Sequence, residues 1–238
     1  MLQKLNECVG CPLFTLGQGF SNPVGTPRHG VAIIGEALGA REAVMGEPFV
    51  GEAGYQLGRI LKPLGMTKKD FLVWNCCACQ PPGNRTPTEA EVTHCDVYFQ
   101  RHTKDPRIQA FLAVGDTAMH KLIGRHGVER NRGYVFESFV GDCPRYVVPT
   151  YHPAFLLHGM QHLTWVVQRD LQRAIQVAKD GWHPPPVEYI LHPSLDDIKW
   201  FLEGCRGKEW LAADIETPMS SGIDEDEYGS IVESDILR

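Results

Sequence analysis

The chain has 238 residues, enough for one sizeable hydrophobic core with a fragment beside it, or for two small domains. Its 43% hydrophobic and 22% charged residues are ordinary for a globular protein and exclude a disordered or low-complexity chain. The net charge of −6 argues against a polyanionic partner only until it is divided: eight acids and one base lie from Asp214 onward, leaving 21 acids and 22 bases in residues 1–213.

The first eight residues, Met1 to Cys8, contain no apolar run of signal-peptide length, and no later stretch approaches eighteen uninterrupted apolar residues. A cytoplasmic protein is therefore expected. In that reducing compartment eight cysteines call for metal ligation, catalysis or packing before disulfides. Cys8 and Cys11 form a C-x2-C pair ahead of the first strand, whereas a redox C-x2-C is expected near a βαβ strand end.

Strands are predicted over residues 31–35, 71–75, 110–115 and 146–150. Each is a short, continuous apolar run closed by a turn signal, as in strands of a parallel sheet buried on both faces. Helical patterns over 51–64, 88–103, 116–123 and 164–178 fill the gaps. The alternation predicts an α/β fold, a three-layer sandwich around a central, mostly parallel four-stranded sheet. Residues 183–186, His183-Pro-Pro-Pro186, form a stiff linker after a first unit over 1–182. A second unit over 187–238 opens with a strand at 187–191, a helix from Ser194 with Asp197 at its capping-box position, and a strand at 210–215.

Ligands of an open parallel sheet bind beyond the carboxyl ends of its strands. Those ends carry Gly35-Glu36, Asn75, Gly115-Asp116 and Tyr151-His152-Pro153. A carboxylate, an amide and an imidazole are thus expected at one edge. Such a set suits reading a heterocycle, polarising it and orienting water, although polar strand ends also cap structure. Cys79 and Cys95 flank a proline-rich loop and helix, and with Cys8 and Cys11 they could enclose a tetrahedral zinc or an iron-sulfur cluster. Cys76 and Cys77 lie in or beside a buried strand and suit packing.

In order along the chain stand the Cys8/Cys11 pair, GEALGAREAVMGEPFVGEAG (35–54), NCCACQPPGNRTPTEAEVTHC (75–95) and PTYHPAFLL (149–157). Together they resemble the family 4, iron-sulfur, uracil-DNA glycosylases over most of the chain, from about Cys8 to Ala178. The resemblance implies hydrolysis of the N-glycosidic bond of uracil in single- or double-stranded DNA, after the base is flipped from the stack. It implies a [4Fe-4S] cluster held by Cys8, Cys11, Cys79 and Cys95, with a structural role. Gly35, Phe49 and Asn75 would bind the base, and Glu36, Glu42 and His152 would serve the chemistry. Arg85, Thr86 and Thr88 would meet phosphates, and Phe155 and Leu156 would supply an apolar wedge. The residues alone also allow Phe49 as core, Glu42 as a solvated helix-start charge, and Phe155 with Leu156 as an apolar helix face.

Leu38, Ala43 and His158 depart from the family's usual proline, acidic residue and arginine. An extra basic loop typical of a covalent uracil-binding branch is missing. WLAADIETP (210–218) resembles the first motif of DEDD-type 3′-to-5′ exonucleases, with Asp214 and Glu216 as metal ligands, but the later acidic motifs are absent. This raises an alternative, a non-catalytic uracil- or DNA-recognition module at the front of a DNA polymerase or exonuclease. A monomer is the default expectation.

Overall fold

A computed structural model describes residues 4–141, 143–184 and 193–207. Two compact units divide at Pro184, residues 1–184 and 185–238. The first unit runs α1 (Pro12–Leu16), β1 (Val31–Gly35), α2 (Ala40–Met45), α3 (Glu52–Leu61), β2 (Leu72–Asn75), α4 (Glu89–His94) and α5 (Asp96–Thr103). It continues with β3 (Ala110–Val114), α6 (Asp116–Ile123), α7 (Val128–Asn131), β4 (Phe136–Val140), β5 (Cys143–Thr150) and α8 (Thr164–Asp180).

The sheet has five strands in the order β2-β1-β3-β5-β4. Four are parallel, as expected. The fifth, β4, was not anticipated: it lies antiparallel on the outer edge of β5, pairing Phe136 with Val147 and Val140 with Cys143. Its burial alternates along the strand, and Phe139 is 81% exposed. A strand with one wet face carries no continuous apolar run, so its sequence does not mark it as the four parallel strands are marked.

The buried strands confirm the reason for their composition. Val31 and Ile33 of β1 point into one core with Leu57 and Leu61 of α3 and Leu171, Ala174 and Val177 of α8. Ala32 and Ile34 point into the opposite core with Phe99 of α5 and Ala118, Met119 and Leu122 of α6. The result is a three-layer α/β sandwich in which period-2 side chains meet helices on both faces.

The predicted helix over 88–103 is two helices broken at Cys95, which ends α4 and precedes α5 with φ −72° and ψ −3°. Thr88 caps α4 through a capping box with Glu91. In the second unit α9 (Leu195–Cys205) starts at the predicted capping box of Ser194 and Asp197. The strands expected at 187–191 and 210–215, with Asp214 and Glu216, lie outside the described residues. Among the described residues no helix is long and apolar enough to cross a membrane.

Candidate active site

Strand register aligns the site. Gly35 pairs with Asn75, Ile34 with Ala113 and Val114 with Thr150, so the carboxyl ends of β1, β2, β3 and β5 meet on one edge. A cleft of about 440 Å³ opens there, within the roughly 300–1,000 Å³ typical of ligand pockets. Glu36, Glu42, Phe49, Asn75, Arg85 and His152 all line it. Residues from five separate segments of the sequence thus share one concave surface.

Its floor depends on a missing side chain. A Cβ on Gly35 would collide with Asn75 Oδ1 and stand 2.7 Å from Phe49 Cζ, so only glycine lets the amide and the ring close on the same space. Asn75 is 3% exposed, and among the described residues its amide makes no hydrogen bond, leaving donor and acceptor for a ligand. Phe49 is buried yet lines the cleft, so its core and pocket roles coexist. Its φ of +54° is unusual for an aromatic residue.

His152 follows β5 and caps the turn Pro153–Leu157: its Nδ1 accepts the Ala154 amide proton at 3.2 Å. The remaining proton of a neutral ring must then sit on Nε2, making that atom a donor. Burial of the ring disfavours imidazolium and lowers the pKa to about 4, against a smaller upward pull from Glu42. The Phe49 and His152 rings are stacked with centroids 6.0 Å apart. Behind the turn, Thr150 Oγ1 donates to Asp170 Oδ2 (2.7 Å), and Arg132 grips the same carboxylate (2.6 and 3.0 Å). That network ties the His152 strand to α8 and carries no motif.

The two carboxylates are held differently. Thr117 Oγ1 donates to Glu36 Oε2 at 2.6 Å. Glu42 is 8% exposed, not a solvated helix-start charge; its Oε1 accepts the Gly51 amide proton at 2.9 Å, and a Cβ at Gly39 would meet Oε2 at 2.6 Å. Two glycines therefore cradle one carboxylate at the cleft.

The DNA-facing candidates divide. Arg85 makes a bidentate pair with the buried Glu91 (2.6 and 2.8 Å), which holds that carboxyl down at a pKa of about 2, but the arginine remains 42% exposed and lines the cleft. Thr86 is exposed, while the Thr88 hydroxyl is committed to capping α4. Phe155 is at the surface, stacked on Tyr151 at 5.2 Å. Leu156 is not: it is fully buried with Ile60 and Val167, because the turn after Pro153 directs it onto α3 and α8, and a wedge of two residues reduces to Phe155.

Away from this cleft, Cys8, Cys11, Cys79 and Cys95 line one apolar cavity with Leu13, Phe20 and Tyr98 around them. None of the four forms a disulfide among the described residues. Burial raises the pKa of Cys8 and Cys11 and pushes Cys79 up to about 12. Cys95 is lowered instead, first by a hydrogen bond with the Cys77 thiol and then by the Ala78 amide at 3.5 Å. Cys76 and Cys77 are fully buried; Cys76 packs in a core as expected, whereas Cys77 lies against Cys95 in the cavity wall.

The family model of the uracil DNA glycosylase superfamily matches residues 23–174. The chain belongs to that superfamily. It is similar to a type-4 uracil-DNA glycosylase of Pyrobaculum aerophilum, 35% identical over 165 residues that cover 66% of this chain and 84% of the relative. Type-4 uracil-DNA glycosylases of Thermotoga maritima (28%, covering 75% and 94%) and Archaeoglobus fulgidus (30%, covering 68% and 83%) are similar too.

Proposed function

We infer that the chain is a uracil-DNA glycosylase, taking uracil out of the DNA stack into the cleft and hydrolysing its N-glycosidic bond to leave an abasic site. The carrying observation is that the Asn75 amide and the Phe49 ring line one cleft with Glu36 and His152, an edge-reading group beside an aromatic face. Asn75 donates to a uracil carbonyl and accepts from the ring N–H. Cytosine offers the reverse pattern and strands a buried amide.

Cleavage sends the bonding pair of C1′–N1 onto the uracil ring and leaves positive charge on the sugar. His152 Nε2–H donates to the carbonyl oxygen on which that negative charge gathers, a contact that strengthens only as the bond breaks. Glu36 and Glu42 place two anions near the cationic sugar, and the Glu36 oxygen not held by Thr117 orients the water that adds to C1′. Arg85 and Thr86 flank the mouth as phosphate contacts, Thr88 orders their loop, and Phe155 fills the gap left by the flipped base.

The cysteine cavity suits a [4Fe-4S] cluster. Burial raises the pKa of Cys8, Cys11 and Cys79 while that of Cys95 is lowered, and a cluster would ionise all four by coordination. The cluster would cross-link the N-terminal Cys8–Cys11 segment to the loop and helix pair bounded by Cys79 and Cys95. Protein purified without air is expected to be brown with about four irons per chain. Cys79→Ala should lose the visible absorption and melt at lower temperature, whereas a colourless chain with stoichiometric zinc would refute the cluster.

Residues 1–182 make the glycosylase unit, ahead of the linker at 183–186 and the 187–238 segment, in a reducing compartment such as the cytoplasm and as a monomer. The function is tested with a labelled single-stranded oligonucleotide bearing one uracil, followed by alkali, with thymine as control. Uracil-dependent cutting is expected. Uracil-specific binding without cutting would instead mean a recognition module.

A further inference from the structure

Phe49 sits where bulky side chains rarely do. A left-handed φ strains an aromatic residue and persists only where the surroundings over-determine it. Two features do so. A Cβ on Gly54 would collide with the Phe49 carbonyl oxygen, so glycine makes room for the turned backbone. From behind the cleft, Lys68 Nζ donates to Glu47 Oε1 (2.8 Å), Pro48 O (2.9 Å) and Phe49 O (3.1 Å). An ammonium has three protons, and this one spends all three on consecutive residues of the loop that presents the ring.

We propose that Lys68 is a positioning residue for the base, holding the Phe49 platform at the height at which Asn75 reads the edge. It opens the 3-10 turn Lys68–Asp70, capped by Thr67 and Asp70, and that turn leads directly into β2, which ends at Asn75. One lysine thus links the residue that faces the ring of the base to the strand that reads its edge. Lys68 lines no part of the cleft containing Glu36, Asn75 and His152, so it acts through Phe49 and not on substrate. Its side chain is 21% exposed, and Glu47 holds its charge in place. The inference rests on the glycosylase reading for its substrate, but the linkage is geometric.

A double-mutant cycle tests it, with kcat and KM measured on the single-stranded uracil substrate for the parent, Lys68→Met, Phe49→Ala and the double variant. Lys68→Met should lower kcat/KM about tenfold, mainly through kcat, because an ångström of misplacement costs up to about a hundredfold. In the Phe49→Ala background the same change should cost less than about twofold, the non-additivity of residues acting through one another. Equal losses in both backgrounds, or none in either, would overturn the proposal. Glu47→Gln, which weakens one of three acceptors, covers the case in which Lys68→Met fails to fold. It should give a smaller loss that Phe49→Ala likewise abolishes, and a loss independent of Phe49 counts against the clamp. The same chains are titrated with uracil- and thymine-containing strands. Binding without release by the parent would refute the glycosylase reading, and Lys68→Met would then be required to reduce the uracil preference through Phe49.

Discussion

Asn75→Ala should release uracil roughly a thousandfold more slowly than the parent chain while melting at an unchanged or slightly higher temperature. The two halves of this expectation come from the same fact. The amide is buried at the end of β2 yet makes no hydrogen bond among the described residues, so removing it deletes no native interaction and relieves a polar group of incomplete solvation. Substrate is what completes it. A site built to hydrogen-bond one edge of a base loses two buried bonds when the amide goes, and sites of this kind discriminate by about 10⁴–10⁵ when such pairing fails. The check is single-turnover release from a uracil strand beside a thermal melt. A variant within tenfold of the parent would show that the edge of the base is read elsewhere, and a melt lowered by many degrees would show that Asn75 serves the fold.

Much of this site was legible because the fold turns sequence order into spatial order. Strands buried on both faces must be continuous apolar runs, and the residue after each run must lie at the sheet edge; Gly35, Glu36, Asn75 and His152 follow from that rule. What stayed hidden is what the rule does not cover. Strand β4 has one wet face, so its alternating Phe136-Glu137-Ser138-Phe139 shows no run. Leu156 and Phe155 are adjacent and both apolar, and only the turn at Pro153 decides that one enters the core and the other the surface. Arg85 carries the charge of a phosphate contact, but its partner Glu91 lies six residues on, across a loop whose path no local pattern prescribes. Lys68, Asp170 and Arg132 support the site from behind through contacts distant in sequence, and a lysine beside another lysine gives no signal at all.

His152→Ala should slow uracil release by about 10²–10³-fold, the loss typical of removing one donor aimed at a developing oxyanion. The shape of the pH dependence is the sharper test. With Nδ1 occupied by the Ala154 amide and the pKa at about 4, the ring is neutral throughout the physiological range and donates from Nε2. The parent's rate should therefore show no inflection near pH 6.5, the ordinary histidine value, and should decline only toward pH 4, where protonation of Nδ1 sets two donors against each other at the turn. Stability must follow the same group. The folded pKa lies below the unfolded one, so as pH falls from about 6.5 to 4 the unfolded chain takes up the proton first and stability is lost, by up to about 3 kcal/mol. His152→Ala lacks that proton site, and its melting temperature should fall less steeply than the parent's across this window. An inflection near pH 6.5 in the parent that vanishes in the variant would mean that the imidazole titrates at its ordinary value. The cleft would then use a charged donor in place of a neutral one.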